Sequence, residues 1–130
     1  MLQAQQQTRP LIYLACPYSH LNRKVRQERF RAANRAAARL MRRGFVVFSP
    51  VSHSHPISET GGLPSSWQYW ERFDRAFLSC ASKLVVLTVP GWRESTGVQA
   101  EIKLAREMGI VIEYHRPVET PPASVNRADC

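Results

Sequence analysis

Two carboxylates stand where a helix pattern calls for apolar residues. At about 100° per residue, Glu101 lies at the centre of an apolar stripe made by Gly97, Val98, Leu104, Ala105 and Met108. Asp74 holds the same position on the preceding predicted helix, among Trp67, Trp70, Phe77, Leu78 and Ala81. A carboxylate on such a face is costly to desolvate unless it is paired, open to a cleft or protonated. Both are candidates for an acid, a base or a nucleophile; buried ion pairs are the structural alternative.

Tyr13 is a third candidate. It shares a face of the first predicted strand with Leu11 and Ala15, two residues before that strand ends. A tyrosine in an aliphatic strand either fills the core or turns its hydroxyl toward a polar group. In the second case Tyr13 would orient a carboxylate near the site.

Strands and helices alternate along the chain that carries these residues. The pattern predicts strands at 11–16, 45–49, 84–89 and 110–114. Helices are predicted over 22–43, from Ser65 or Ser66 to about residue 82, and from about 95 to 108, with a long polar loop at 51–65. Apolar strands separated by helices indicate a doubly wound α/β domain. We expect a three-layer, flavodoxin-like parallel sheet of about four strands over residues 10–116, with flexible segments at 1–9 and 117–130.

Ligands of such folds bind beyond the carboxyl ends of the strands. Those ends are the segments 16–20, 50–64 and 90–97, which hold most of the unusual residues. The binding residues predicted there are Cys16, Pro17, Tyr18, Ser19, His20, His53, His55, Gly91, Trp92, Ser95 and Gly97.

The histidines and Cys16 have several interpretations. In an extended segment the rings of His53 and His55 lie on one side, and Cys16 could lie nearby. Because no carboxylate or CxxC pair completes the set, we predict no metal. Hydrogen bonds to a substrate or phosphate, or a plain loop, are the alternatives. A nucleophilic role for Cys16 would require a base such as His20.

Positive charge is concentrated in the first third of the chain. The 130 residues carry a formal charge of +8, yet residues 1–43 hold ten of the basic side chains and a single acid, Glu28. On the first helix the predicted core stripe is Phe30, Ala33, Ala37, Leu40 and Met41, and the opposite band is Lys24, Arg31, Arg35, Arg39 and Arg42. No aromatic residues interleave with this band, so a solvated face is favoured over a nucleic-acid surface.

Arg23 and Arg26 differ from that band. They lie at the start of the helix, near the predicted site, where the helix dipole also attracts anions. These are the arginines expected to meet a phosphate.

Composition excludes several classes of protein. No apolar run approaches the roughly 20 residues that span a bilayer, and the first residues lack the apolar core of a secretion signal. Three cysteines without a CxxC pair argue against a disulfide framework. We therefore expect a cytoplasmic protein with no membrane partner.

The segment LVVLTVPGWRESTGVQAEIKLAREMGI (84–110), together with Tyr13 and Asp74, resembles the nucleoside 2-deoxyribosyltransferase-like superfamily. That group includes the 2′-deoxynucleoside 5′-phosphate N-hydrolases, and the chain is most similar to a branch of small bacterial proteins within it. The resemblance covers about residues 10–116. It implies that Glu101 attacks the anomeric carbon, Asp74 serves the leaving base, Tyr13 orients the nucleophile, and Ser95 binds sugar or phosphate.

The implied activity is cleavage or transfer at the N-glycosidic bond of a nucleoside or nucleoside 5′-monophosphate, without a cofactor and in a homo-oligomer. Tyr18, Trp67, Trp70 and Trp92 could stack on a base, with core packing favoured for Trp67 and Trp70. The segment 16–20 lacks the glycines of the family's phosphate loop, and Ser82-Lys83 replaces an acid often found before the third strand. A non-catalytic nucleotide-binding module, and a nucleic-acid-binding protein using the first helix, are the alternatives.

Overall fold

The computed structural model describes residues 10–119. Its centre is a parallel sheet of four strands in the order β2-β1-β3-β4. The strands are β1 (Leu11–Ala15), β2 (Val46–Phe48), β3 (Lys83–Leu87) and β4 (Val111–His115). The predicted doubly wound α/β fold is therefore confirmed. The predicted flexible segment 1–9, and residues 120–130 of the predicted tail, lie outside the described residues.

Four helices cover the two faces of the sheet. They are α1 (Arg23–Arg42), α2 (Pro50–Gly61), α3 (Trp67–Leu78) and α4 (Thr96–Met108). Alanines and Leu40 of α1 pack with Val51 of α2 against one face. Leu78 of α3 and the apolar stripe of α4 pack against the other.

Side chains along β1 alternate between the two faces of the sheet, and this alternation directs Tyr13 toward α4. Successive strand side chains point to opposite faces, so Ile12 and Leu14 join the α1 side while Tyr13 and Ala15 join the α3–α4 side. β1 lies in the middle of the sheet, and Tyr13 is fully buried. A phenol group is thereby held beneath the helix that carries Glu101.

The predicted loop at 51–65 is wrong, because most of it forms α2. Pro50 starts this helix, where its fixed φ suits the first turn and its missing N–H costs nothing. Gly62 ends it in the left-handed conformation, with φ of 65°. Pro56 within a run of serines and histidines hid the helix, since these residues are typical of turns. Two helices therefore connect β2 to β3, rather than one.

Other element limits differ by a few residues from the predicted ones. α3 ends at Leu78, four residues before the predicted end, where Ser79 begins a turn. Ser66 is its N-cap, without a side-chain capping bond. On α1, Met41 is 51% exposed, whereas Ala32 and Ala36 are buried. The prediction that Met41 belongs to the core is therefore wrong. The small alanine side chains let α1 lie close to the sheet, and the buried stripe of α1 is turned toward these alanines rather than toward Met41.

Across residues 10–119, none of the helices combines the length and apolar character needed to cross a membrane.

Candidate active site

A cavity of about 270 Å³ lies beyond the carboxyl ends of the central strands. Its walls come from the residues that follow β1, from the start of α2, from α3 with the segment before it, and from the start of α4. Both suspected carboxylates, Asp74 and Glu101, line it. The volume is near the lower end of the range for small-molecule sites, about 300–1,000 Å³. The cavity thus suits a compact ligand.

Glu101 is buried in the second turn of α4 and is only 4% exposed. The Tyr13 hydroxyl, rising from β1, donates a hydrogen bond to its Oε2. Burial and the neighbouring Glu101 raise the pKa of Tyr13 well above its usual value of 10.0, so the phenol keeps its proton and acts as a donor. The carboxylate is therefore fixed in orientation.

Asp74 reaches the same cavity from α3 and is half-buried. Burial raises its pKa from 3.8 to about 7. Burial raises the pKa of Glu101 from 4.5 to about 8, with a further increase from the charge of Asp74; the hydrogen bond from Tyr13 opposes both effects. The two carboxyl groups titrate as a coupled pair near neutral pH, which is the range in which one can be an acid while the other is an anion.

Ser95 and Gly97 shape the start of α4. Ser95 is the N-cap, and its Oγ accepts a hydrogen bond of 3.2 Å from Val98 N. Gly97 lies against the ring of Trp67, since a Cβ atom placed on it would be 3.4 Å from Trp67 Cε3. Trp67 is half-buried and lines the cavity beside this turn. Its ring is thus available as one wall for a planar ligand.

Residues 10–116 match the family model described as "Domain of unknown function (DUF1937)". The chain belongs to this family. No curated protein matches the chain.

Several predicted binding residues of the DUF1937 domain come together at the cavity. Besides the two carboxylates, the lining includes Cys16, Tyr18, Ser19, Ser95 and Gly97. The predicted residues outside the lining are Pro17, His20, Arg23, Arg26, His53, His55, Gly91 and Trp92, and Tyr13 acts on it through Glu101.

His53 and His55 lie on opposite sides of α2, so the prediction that their rings share a side is wrong. Residues two apart on a helix point in nearly opposite directions. His53 contacts Phe48 and Phe77. His55 is buried against Phe30, and its Nδ1 lies 2.6 Å from the hydroxyl of Tyr18. Through that bond His55 positions Tyr18, which does line the cavity.

Cys16 lines the cavity as a protonated thiol. Burial raises its pKa to about 12, and its single S–H can donate to the carbonyl oxygen of Pro17 or to that of Arg29, which lie 3.5 and 3.7 Å from Sγ. Neither bond leads to His20, whose Nδ1 accepts a hydrogen bond from Asn22 N. A thiol in this state is not activated as a nucleophile.

The two arginines expected to meet a phosphate are engaged elsewhere. Arg23 forms a 2.7 Å ion pair with Glu59. Arg26 donates to the carbonyl oxygens of His20 and Leu21. Both therefore hold the start of α1 in place.

Arg29 is a structural residue that the sequence did not indicate. Its Nη1 donates to Ser19 O at 2.9 Å and its Nη2 approaches Pro90 O at 3.5 Å. It therefore connects the segments that follow β1 and β3. Both partners are backbone carbonyls on distant segments, and no sequence pattern reports such contacts.

Trp92, a candidate for stacking on a base, lies outside the cavity lining. Its ring centroid is 5.5 Å from that of Tyr114, and the guanidinium carbon of Arg93 lies over the Trp92 ring, 4.8 Å from its centroid. Trp70 is buried, and its Nε1 donates to Pro64 O at 2.8 Å. Of the tryptophans, Trp67 and Trp70 line the cavity, and Trp67 is the more exposed.

Sequence reasoning missed part of the lining. The additional polar residues are Ser54, Ser65, Ser66, Gln68, Glu94 and Thr96. Most of them directly neighbour a predicted element end, which is the signal that could have found them. Within residues 10–119, no group of three or more His, Cys, Asp or Glu residues is placed to hold a metal ion.

Proposed function

We propose that this DUF1937 domain cleaves or transfers the N-glycosidic bond of a nucleoside or nucleoside 5′-monophosphate. The observation that carries the proposal is a buried Glu101, oriented by the Tyr13 hydroxyl and facing the same cavity as Asp74. The resemblance to nucleoside 2-deoxyribosyltransferase-like proteins assigns these three residues to this reaction and supports it.

Glu101 acts as the nucleophile. Its carboxylate oxygen forms a bond to the anomeric carbon while the bond from that carbon to the base nitrogen breaks, through an oxocarbenium-like transition state. The electron pair of the broken bond leaves with the base. The product on the protein is a glycosyl ester of Glu101, which water hydrolyses or a second base displaces.

Asp74 supplies and recovers the proton. In its protonated form it donates to the departing base, and as the resulting anion it accepts a proton from the incoming water or base. Burial, which raises the pKa of Asp74 to about 7, leaves a large fraction of this carboxyl protonated at neutral pH. Because the pKa of Glu101, about 8, is the higher of the two, the shared proton resides mainly on Glu101. The hydrogen bond from Tyr13 lowers the pKa of Glu101 and so raises the fraction of the pair in the productive arrangement, with Asp74 protonated and Glu101 ionised.

The pH dependence follows from this pair. One proton shared by two carboxyls with pKa values of about 7 and about 8 is the active state. The profile of kcat/KM is therefore a bell with its maximum between pH 7 and 8.

Base release tests the proposal. The purified chain is incubated with 2′-deoxynucleosides, ribonucleosides and their 5′-monophosphates, with and without a second free base, and products are separated by chromatography. We expect free base or an exchanged nucleoside from at least one substrate. Glu101→Gln loses at least about 10³-fold in rate, and Asp74→Asn loses about 10²–10⁴-fold.

Glu107→Gln is the matched control, because this residue lies on the exposed face of the same helix. It keeps the wild-type rate. Saturable nucleotide binding without release from any substrate would instead indicate a non-catalytic binding module and overturn the proposal.

A further inference from the structure

We propose that the cavity accepts unphosphorylated nucleosides and discriminates against their 5′-monophosphates, with Glu94 as the specificity-determining residue. The inference rests on the proposed function, and it narrows the substrate class of the same site.

The charge of the lining is the first argument. Asp74, Glu94 and Glu101 line the cavity, and among the described lining residues there is no lysine, arginine or histidine. A phosphate monoester carries between one and two negative charges at neutral pH. Placing it beside carboxylates without a cation is unfavourable, whereas a neutral nucleoside avoids this repulsion.

The position of Glu94 is the second argument. It is exposed, lines the cavity and directly precedes Ser95, the N-cap of α4. The N-terminus of a helix attracts anions through its free amide groups. Here the Ser95 hydroxyl already accepts from Val98 N, and the carboxylate of Glu94 adds negative charge at the same end. The feature of the cavity best suited to a phosphate is thus opposed by a fixed charge.

The neighbouring cations have other partners. Arg93, next in the chain, lies over the ring of Trp92 rather than in the cavity lining. Arg29 donates to two backbone carbonyls, and Arg23 pairs with Glu59. A 5′-phosphate would have to break one of these contacts to gain a counter-charge.

The remaining polar lining suits neutral groups. Hydroxyl and amide side chains line the same cavity as the carboxylates. They belong to Ser19, Ser54, Ser65, Ser66, Gln68, Ser95 and Thr96. Hydroxyl and amide groups both donate and accept hydrogen bonds. They match the hydroxyls of a sugar and the polar edge of a base without requiring charge.

Matched substrate pairs test the inference. For each base, kcat/KM is measured for the deoxynucleoside and for its 5′-monophosphate. We expect the wild type to favour the nucleoside by at least about tenfold. Glu94→Gln raises the relative activity on the monophosphate several-fold, Glu94→Lys raises it further, and added salt weakens both effects. Glu107→Gln, which removes the same charge about 16 Å along α4 from its first turn, keeps the wild-type ratio.

A preference for the monophosphate, or a ratio unchanged by Glu94→Gln and Glu94→Lys, would overturn the inference while leaving the proposed function intact. A binding measurement tests the inference separately from cleavage. Calorimetry with the Glu101→Gln chain should show tighter binding of the nucleoside than of the monophosphate, even if no substrate is cleaved. Equal or tighter binding of the monophosphate contradicts the inference, and absence of binding by either ligand contradicts both proposals.

Discussion

The hydrogen bond from Tyr13 to Glu101 is the contact on which the proposed chemistry depends. It supplies a hydrogen bond to a buried carboxylate that lines the cavity, and it favours the charged form of that carboxylate. Burial acts in the opposite direction and raises the pKa of Glu101. The balance between these two effects gives two direct predictions.

Tyr13→Phe should lower kcat/KM by about 10–100-fold, since it removes a hydrogen bond to a charged group. Without the donor the pKa of Glu101, the higher of the two, rises further, so the alkaline limb of the pH–kcat/KM profile moves to higher pH. A loss of activity with an unmoved alkaline limb would assign Tyr13 to core packing alone.

Glu101→Gln should stabilise the fold at alkaline pH. The folded pKa of Glu101, about 8, lies above its usual 4.5, so the folded state binds the proton more tightly and loses stability as pH rises from about 4.5 through about 8. Glutamine avoids this loss and still accepts from Tyr13 through its amide oxygen. Urea unfolding at pH 5 and pH 9 should show an advantage of a few kcal/mol for the variant at pH 9 only.

The exposed Glu107→Gln variant is the control for that comparison. It should follow the wild type at both pH values. Equal pH dependence of the wild type and Glu101→Gln would contradict a buried, proton-holding Glu101.

The two acidic residues were the part of the site that the sequence alone predicted most readily. Glu101 and Asp74 break an otherwise apolar helical stripe, and that violation can be read without a structure. The contacts of Arg29, and the separate sides taken by His53 and His55, depend on which segments meet in space and on a helix that the local pattern concealed. Sequence could not supply them.

At the scale of elements, the loops after β1 and β3 are held together by one side chain of α1. Arg29 donates to Ser19 O and approaches Pro90 O. Gly91, in the second loop, has φ of +93°, and a Cβ atom there would lie 2.6 Å from Arg29 Nη2. The conformation of the loop that leads to α4 therefore requires a residue without a side chain at position 91.

Gly91→Ala should cost about 1–3 kcal/mol of stability through its backbone strain and should also reduce base release, because Arg29 must move. Gly44→Ala is a matched control, with φ of +94° and nothing within 4 Å of its Cβ position. It should lose similar stability by denaturant unfolding but keep kcat/KM. Equal losses of activity in both variants would show that Arg29 does not position the loop.

The strands and three of the helices followed from the sequence because their signals are strong. Apolar runs ended by proline or glycine marked the strands, and Gly109 marked the end of α4 in the left-handed conformation, with φ of 73°. α2 escaped because serine, histidine and an internal Pro56 are poor helix formers. Its formation reflects tertiary packing of residues such as Val51, which joins the apolar cluster beneath α1.

At the scale of the whole molecule, the basic residues behind the net charge of +8 and the acidic residues of the cavity lie on different parts of the surface. Arg31, Arg39 and Arg42 are exposed on α1, away from the residues that line the cavity. The basic band therefore does not supply the charge that a phosphate in the cavity would need.

Replacing Arg31 and Arg39 with serine together should leave base release within about twofold of the wild type, as expected for exposed positions. Any retention of the chain by an oligonucleotide should weaken in this variant and with added salt. A large loss of base release in the double variant would contradict this prediction and show that the basic band of α1 takes part in the reaction.

Detection of the glycosyl ester on Glu101 is the most direct test of the central claim. The chain is mixed with a cleavable deoxynucleoside, quenched in acid and digested, and its peptides are weighed by mass spectrometry. We expect a deoxyribosyl adduct on the peptide that contains Glu101, absent in Glu101→Gln and present in Glu107→Gln. Base release by the wild type that persists undiminished in Glu101→Gln, with no adduct on that peptide, would contradict that claim.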